Sequence, residues 1–419
     1  MKLMKKTVCL VIALLMCMLP LVSCELPLGS NTGDGTKDPA GTEEPTISSF
    51  NLEKLALIEQ LYKDYYVGEI DYDKMTDALI SAYIAAAGDQ FGVYFNAEDY
   101  KTYNENMSAE FSGIGINIIY NAEYKAIEVV NVFANSPADN GGIIVGDLIV
   151  SVGEEKTPVA ELGYDLSIGR LRGEEGTQAI FEVLRGADRS ERLSFSIKRE
   201  KLVAESVYYK MLSVGEKIGY VRIDQFDAKT DESFIAAINA LKLEGATAYV
   251  FDVRGNPGGY LSSVLTMLDY ILPEGPIARI DYYGDGEYEQ IYSSDAANYL
   301  DAPMTVIANG STASAGELFT SAIHDYAERG LVRATTVGLV TYGKGTMQHG
   351  YPLSDGSYVN VTVAYYDPPY SSNYHGIGLA PDVEVDLSDE AKQTNIFKLA
   401  EEDDAQLLAA VAEIERLRK

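Results

Sequence analysis

The sequence predicts a layered α/β core that carries an inserted β-domain and a helical N-terminal cap. Three observations predict it. Strand–turn–helix units recur in the second half: Val250-Phe251-Asp252-Val253-Arg254 runs into Gly255-Asn256-Pro257-Gly258-Gly259 and a helix, and Met304–Ala308 runs into another. Near Glu110 the composition shifts to short apolar runs punctuated by glycine. Before that, Leu52, Leu55, Leu57, Ile58, Leu61 and Tyr62, then Met75, Leu79, Ala82, Tyr83 and Ala86, recur at helical steps.

At the N-terminus, Lys2, Lys5 and Lys6 precede an apolar run from Val8 to Met18 and then Leu21-Val22-Ser23-Cys24. A basic start, a short apolar stretch and a small residue before the cut describe a secretory signal over 1–23, too short to span a bilayer comfortably. Leu21-Val22-Ser23-Cys24 resembles a bacterial lipobox, which implies a diacylated Cys24 at the mature terminus and an extracytoplasmic, membrane-anchored protein. All three cysteines (Cys9, Cys17, Cys24) lie at or before that cut, which excludes a disulfide framework or a cysteine metal site in the mature chain. The formal charge is −30, and removing 1–23 takes away three lysines and no acid. Such a chain is no nucleic-acid binder, and anionic lipid would repel it, so the two acyl chains must hold it at the membrane.

Residues 24–49, rich in Gly, Thr, Pro, Asp and Glu, read as a disordered tether. The helical cap covers 50–109. From 110 to 199, Phe111-Ser112-Gly113-Ile114-Gly115-Ile116 reads as a glycine-containing loop entering a strand. A strand at 126–133, a short helix opened by Ser136-Pro137-Ala138, Gly146-Asp147-Leu148-Ile149, a helix near 161–172 and two β-rich runs follow. Residues 200–386 form the α/β core, with a tyrosine-rich hairpin at 277–300. Residues 387–419 read as a charged C-terminal helix.

The chemistry concentrates between 252 and 348. In Ser311-Thr312-Ala313-Ser314-Ala315, Thr312 or Ser311 is expected to cap the following helix, leaving Ser314 in its first turn at the positive end of the helix dipole. The Ala315 N–H would then face a developing oxyanion. The Pro-Gly-Gly turn brings backbone close to a substrate, and Gly258 or Gly259 would supply the second donor. Lys344, between Gly343 and Gly345, is the candidate base; to accept a proton near neutral pH its pKa must fall well below about 10.4, which burial achieves. An extended 344–348 puts Lys344, Thr346 and Gln348 on one face, where Gln348 would hold the amine. The three histidines (His324, His349, His375) are placed less economically for a Ser-His-Asp triad, and no His/Asp/Glu spacing suggests a metal site or other cofactor.

The order of elements over 110–199 resembles a PDZ domain. That resemblance implies that Phe111, Gly113, Ile114, Gly115 and Ile116 present backbone N–H groups to a peptide's terminal carboxylate, the peptide adding as an extra strand. Joined to the Asp-x-Arg-x-Asn-x-Gly-Gly turn, the Ser-Ala-x-Glu turn, Gly-Lys-Gly-x-x-Gln and Gly378-Leu379-Ala380-Pro381-Asp382, the motifs over about 50–386 resemble the carboxyl-terminal processing peptidases of family S41. The resemblance implies a ClpP/crotonase-like layered core, with Ser314 as nucleophile, Lys344 as general base, Gln348 positioning the lysine, and protein or peptide substrates with accessible C-termini. It leaves a homo-oligomer open. Gly316 stands where the family usually has serine, and the Ser314–Lys344 connection is several residues longer than usual. The rival reading is a PDZ-bearing scaffold with an idle core, and a third is a self-compartmentalised peptidase for short peptides only. An idle core has no chemical need for Ser314, Lys344 and Gln348 together.

Overall fold

The computed structural model describes residues 52–419 apart from 134, 187, 296 and 395, so the signal segment, Cys24 and the tether lie outside the described residues. The centre is a six-stranded sheet in the order Val207–Met211, Ile218–Ile223, Ala248–Asp252, Met304–Ala308, Ala334–Gly338, Val383–Glu384, parallel except at the first pair. Parallel strands covered on both faces must be apolar on both. Ala248–Asp252 and Met304–Ala308 are accordingly buried throughout. Tyr249 and Phe251 face one layer, with Phe234, Val264, Leu268 and Phe319 from helices Thr230–Glu244, Leu261–Ile271 and Ala315–Glu328. Ala248 and Val250 face the other, covered by Leu407, Ala410, Val411 and Ile414 of helix Ala405–Leu417.

Because Ala248–Asp252, Met304–Ala308 and Ala334–Gly338 are parallel neighbours, their carboxyl ends open on one edge. The Gly255–Gly259 turn, the serine turn and the lysine loop all leave from that edge, the usual place for a site in an open α/β sheet.

A second sheet carries the lysine strand. Thr346–Pro352 pairs with Tyr358–Asp367, which also pairs with Val93–Phe95 and Gly275–Asp281; the expected hairpin at 277–300 is Gly275–Asp281 with Gln290–Ser294. The helical cap shows helices Leu52–Tyr65, Tyr72–Ala87 and Ala97–Met107, and Val93–Phe95 between them is a strand, not helix. The Asp89 carboxylate fixes it by accepting from Phe91, Gly92 and Thr362.

Residues 116–198 build a separate antiparallel sheet, ordered Ile116–Asn121, Ala126–Val132, Leu148–Val152, Gln178–Arg185, Glu191–Lys198, with its own core around Ile127, Val129, Phe181 and Val183. Ile116–Asn121 pairs on one side only among the described residues and so presents an edge. The expected loop at Phe111 is instead a strand, Glu110–Gly113, antiparallel to Glu200–Val203; its partner lies some ninety residues on, where no local pattern announces it. The C-terminal segment, read as one helix, is three pieces: Asp389–Gln393, Ile396–Lys398 and Ala405–Leu417. The Asp404 side chain caps the last by accepting from Leu407 N–H, 3.0 Å, which starts a new helix. No helix among the described residues is long and apolar enough to cross a membrane.

Candidate active site

The serine turn departs from the expected geometry. Ser314 is itself the residue at the start of helix Ala315–Glu328, with φ 55 and ψ −120, a conformation that normally belongs to glycine. Thr312 does not cap this helix: its hydroxyl donates to the Val253 carbonyl, 2.7 Å, and accepts from the Asn309 N–H, 3.0 Å. The strained conformation is held by Glu317, whose Oε2 accepts the Ser314 N–H at 2.9 Å.

Glu317 also reaches the lysine loop. Oε2 accepts the Lys344 N–H at 2.8 Å, and Oε1 accepts the Gly343 N–H and the Thr341 hydroxyl, each at 2.6 Å. The backbone nitrogens of Ser314 and Lys344 therefore lie against one carboxylate oxygen, no further apart than those two bonds together. Burial pushes the Glu317 carboxyl above its ordinary value, and four donors to the ionised form oppose that rise.

Ser314 and Lys344 are both fully buried. The Tyr366 hydroxyl lies 3.5 Å from Ser314 Oγ and donates to the Lys344 carbonyl at 3.0 Å, a second bridge between the same two residues. Lys344 Nζ sits 5.0 Å from the centre of the buried Phe91 ring. Gln348 and Thr346 share a face, as alternation predicts: Gln348 Nε2 donates to Thr346 and Thr362 hydroxyls, each at 3.1 Å. Its buried Oε1 has no hydrogen-bond partner among the described residues, an uncommon state for a buried polar atom.

The glycine turn closes against the serine. A Cβ on Gly258 would stand 2.7 Å from Ser314 Cβ and 3.1 Å from Ala315 N, and its φ of +106 also demands glycine. Asn256 ties the turn down: Nδ2 donates to Ile223 O at 2.8 Å, Oδ1 accepts Gly258 N–H at 2.8 Å, and its carbonyl accepts Ala313 N–H at 2.9 Å. Gly258 N–H is thus committed. The bridge to Phe226 uses the Gly258 carbonyl and the Tyr260 N–H, leaving the Gly259 N–H outside it.

On the separate sheet, Gly115 has φ +84, and a Cβ there would meet Ser136 Cβ at 2.4 Å. The Ile114 and Gly115 carbonyls accept from Ala138 and Phe133. A cleft of about 700 Å³ runs from Phe111, Gly113, Ile114, Gly115 and Ile116 past Tyr164 and Ile168 to Gly255, Pro257 and Ser311.

The model of peptidase family S41 matches residues 217–385, the stretch that contains all three loops. Over 360 residues the chain is 30% identical to the carboxy-terminal processing protease CtpA of Bacillus subtilis strain 168, covering 85% of this chain and 74% of that one. The chain belongs to peptidase family S41. It is a serine protease of the carboxy-terminal processing kind. It is also 31% identical over 300 residues to the carboxyl-terminal-processing protease of Picosynechococcus sp. PCC 7002, covering 71% and 70% of the two chains. The solved structure of an S41 protease from Bacteroides fragilis NCTC 9343 shares the fold, with TM-score 0.53, 15% identity, and 86% and 96% of the two chains covered.

In this S41 peptidase Glu317, Asn256 and Tyr366 are working parts to which the sequence motifs assign no role. A helix-start serine with glutamate three residues on is a capping-box pattern and could have pointed to Glu317; nothing local could have found Tyr366, which arrives from another sheet.

The three histidines have neighbours of their own, and His375 shares one of them, Phe91, with Lys344. His375 packs edge-on against Phe91 and Tyr365, and His349 against Tyr351. His324 Nε2 pairs with Asp382 Oδ1 at 3.1 Å, and Nδ1 lies 3.9 Å from Asp325. Glu328 joins His324 and Asp382 in a cluster that no sequence spacing suggested, and ion pairing already engages the imidazole. Asp325 and Asp382 push the His324 pKa up to about 10. A group raised on folding stabilises fully below its unfolded value, near 6.5, and loses that contribution as pH rises through 10. We expect His324→Gln to keep its peptidase activity. Its stability deficit, measured by denaturant titration, should be largest below about pH 6.5 and vanish above about pH 10. Loss of turnover in the folded variant would give His324 a part in the reaction.

Proposed function

We propose that this chain is a lipid-anchored, extracytoplasmic endopeptidase that works by a Ser-Lys mechanism on proteins captured by their C-termini. The observation that carries the catalytic part is the Glu317 carboxylate, which holds the Ser314 and Lys344 backbones on one oxygen. Ser314 Oγ attacks the scissile carbonyl and passes its proton to the neutral Lys344 amine. A lysine with no exposed surface is kept from water, which disfavours its charged form. The Gln348 amide oxygen, uncommitted among the described residues, is the acceptor that orients the amine. The oxyanion is met by the Ala315 N–H, at the helix start, and by the Gly258-Gly259 pair, of which Gly259 has the spare donor. Lys344 then returns the proton to the leaving amine, and water deacylates Ser314 by the same relay.

The module over 110–199 serves as a PDZ-like reader. The edge of Ile116–Asn121, left without a second strand among the described residues, suits strand addition, and the loop at Ile114-Gly115 suits a terminal carboxylate. The cleft that starts there reaches Pro257 and Ser311, supporting a substrate path from reader to serine. Residues 50–109 act as a cap beside the lysine strand, and Cys24 carries the diacyl anchor.

Ser314→Ala and Lys344→Ala should each abolish cleavage of an unstructured protein while circular dichroism stays unchanged; comparable cleavage by either variant ends the Ser-Lys assignment and favours an idle scaffold or another base. A peptide ending in a free acid should be cleaved about five- to a hundredfold faster than its amide, the scale of about 1–3 kcal/mol for a charge-assisted hydrogen bond. Equal rates mean that the module reads something other than a terminus. Cys24→Ser should move the protein from the membrane to the soluble fraction, and persistence at the membrane rules out Cys24 as the lipid anchor.

A further inference from the structure

The turn from Gly255 to Gly259 has little of its own to keep it in shape. Gly255, Gly258 and Gly259 have φ of +76, +106 and +144. Glycines lose more backbone freedom on ordering than any other residue, so a glycine-rich turn needs fixing from outside. Asn256 fixes it from the Ile223 side. The residue that leads into it, Arg254, is fixed from the far end of the chain.

Arg254 is nearly inaccessible to solvent. Its Nε and Nη2 contact Asp252, and the Asp252 carboxylate also accepts the Arg254 N–H at 3.0 Å. The guanidinium then meets a second buried carboxylate: Nη1 donates to Asp404 Oδ1 at 3.0 Å and Nη2 to Asp404 Oδ2 at 2.8 Å. Nη1 also donates to Gln406 Oε1 at 3.0 Å. Arg222, salt-bridged to Asp224, donates Nη2 to the Arg254 carbonyl at 3.2 Å. A two-pronged arginine–carboxylate pair fixes direction as well as distance. Asp404 and Gln406 begin helix Ala405–Leu417, which covers the sheet face opposite the serine helix.

We propose that Asp404, assisted by Gln406, is a positioning residue of the peptidase: through Arg254 it sets the Gly255–Gly259 turn at the distance from Ser314 that oxyanion stabilisation requires. This rests on the reading of that turn as half of the oxyanion hole. Capping alone does not account for the arrangement. A cap needs one oxygen, and Asp404 gives Oδ1 to Leu407 N–H while spending both oxygens on Arg254. Nor does burial favour it, since a charge in that place is costly unless something requires it. Asp252 also falls short of the full requirement, because it meets only the Nε and Nη2 edge and leaves Nη1 to Asp404 and Gln406.

The test uses the full mature chain and one quenched-fluorescent peptide, at a temperature where circular dichroism shows each variant folded. Asp404→Asn keeps the cap and the shape but weakens the hold on Arg254. We expect kcat to fall about tenfold or more with KM within about twofold, below the 10²–10³ that follows removal of an oxyanion donor itself. Asp404→Glu should recover part of the loss, and Glu390→Gln, a change of the same charge on the exposed neighbouring helix, should change nothing. Should Asp404→Asn fail to fold, Gln406→Met removes one acceptor from Nη1 and should show the same kcat-specific loss in smaller measure. Unchanged kcat in the folded Asp404→Asn or Gln406→Met chain, or a loss confined to KM, overturns the positioning role. Retained activity in Ser314→Ala, by contrast, removes the oxyanion reading itself whatever Asp404 does.

Discussion

One carboxylate holds the candidate site together. Glu317 lies at the start of the serine helix, fully buried, and accepts from Ser314, Lys344, Gly343 and Thr341. Each partner is a donor, so the ionised group is satisfied without a counter-ion. The strain at Ser314 persists because this bond and the helix behind it over-determine the conformation. The lysine loop, with its positive-φ Gly343, is held by the same oxygens. Ser314 and Lys344 lie on loops that leave different strands of the central sheet, and Glu317 makes their spacing a property of one side chain.

The second constraint is crowding. Gly258 leaves no room for a Cβ beside Ser314, and Asn256 spends its whole amide on keeping the turn there. Tyr366 comes from the second sheet to touch both Ser314 and the Lys344 carbonyl. The site is thus an assembly of three loops at one sheet edge, closed by a strand from a neighbouring sheet, and each loop is fixed by side chains outside it.

Much of this was legible in sequence. Helix Ala315–Glu328 follows strand Met304–Ala308 as the strand–turn–helix pattern predicts, and Gln348 and Thr346 share a face as alternation requires. Ser314, Lys344 and the glycine turn stood out because their chemistry and backbone demands are local. What escaped was non-local. Glu110–Gly113 read as a loop because its strand partner is distant in the chain. Ser314 was placed one step into its helix because three adjacent hydroxyls competed for the cap, and only the Thr312 bond to Val253 removes Thr312 from that contest. Asp404 passed as one more acid in a charged C-terminal helix, since burial against Arg254 leaves no mark on a stretch of sequence.

Asp404 follows the reactive residues in the chain, and that order bears on timing. A ribosome delivers Ser314, Lys344 and the glycine turn before it delivers the acid that steadies Arg254. A peptidase assembled this way holds its reactive groups early and its full alignment late. The helix that Asp404 starts is anchored at its other end as well, where Arg418 donates to the Glu216 carbonyl and the Thr247 hydroxyl of the core.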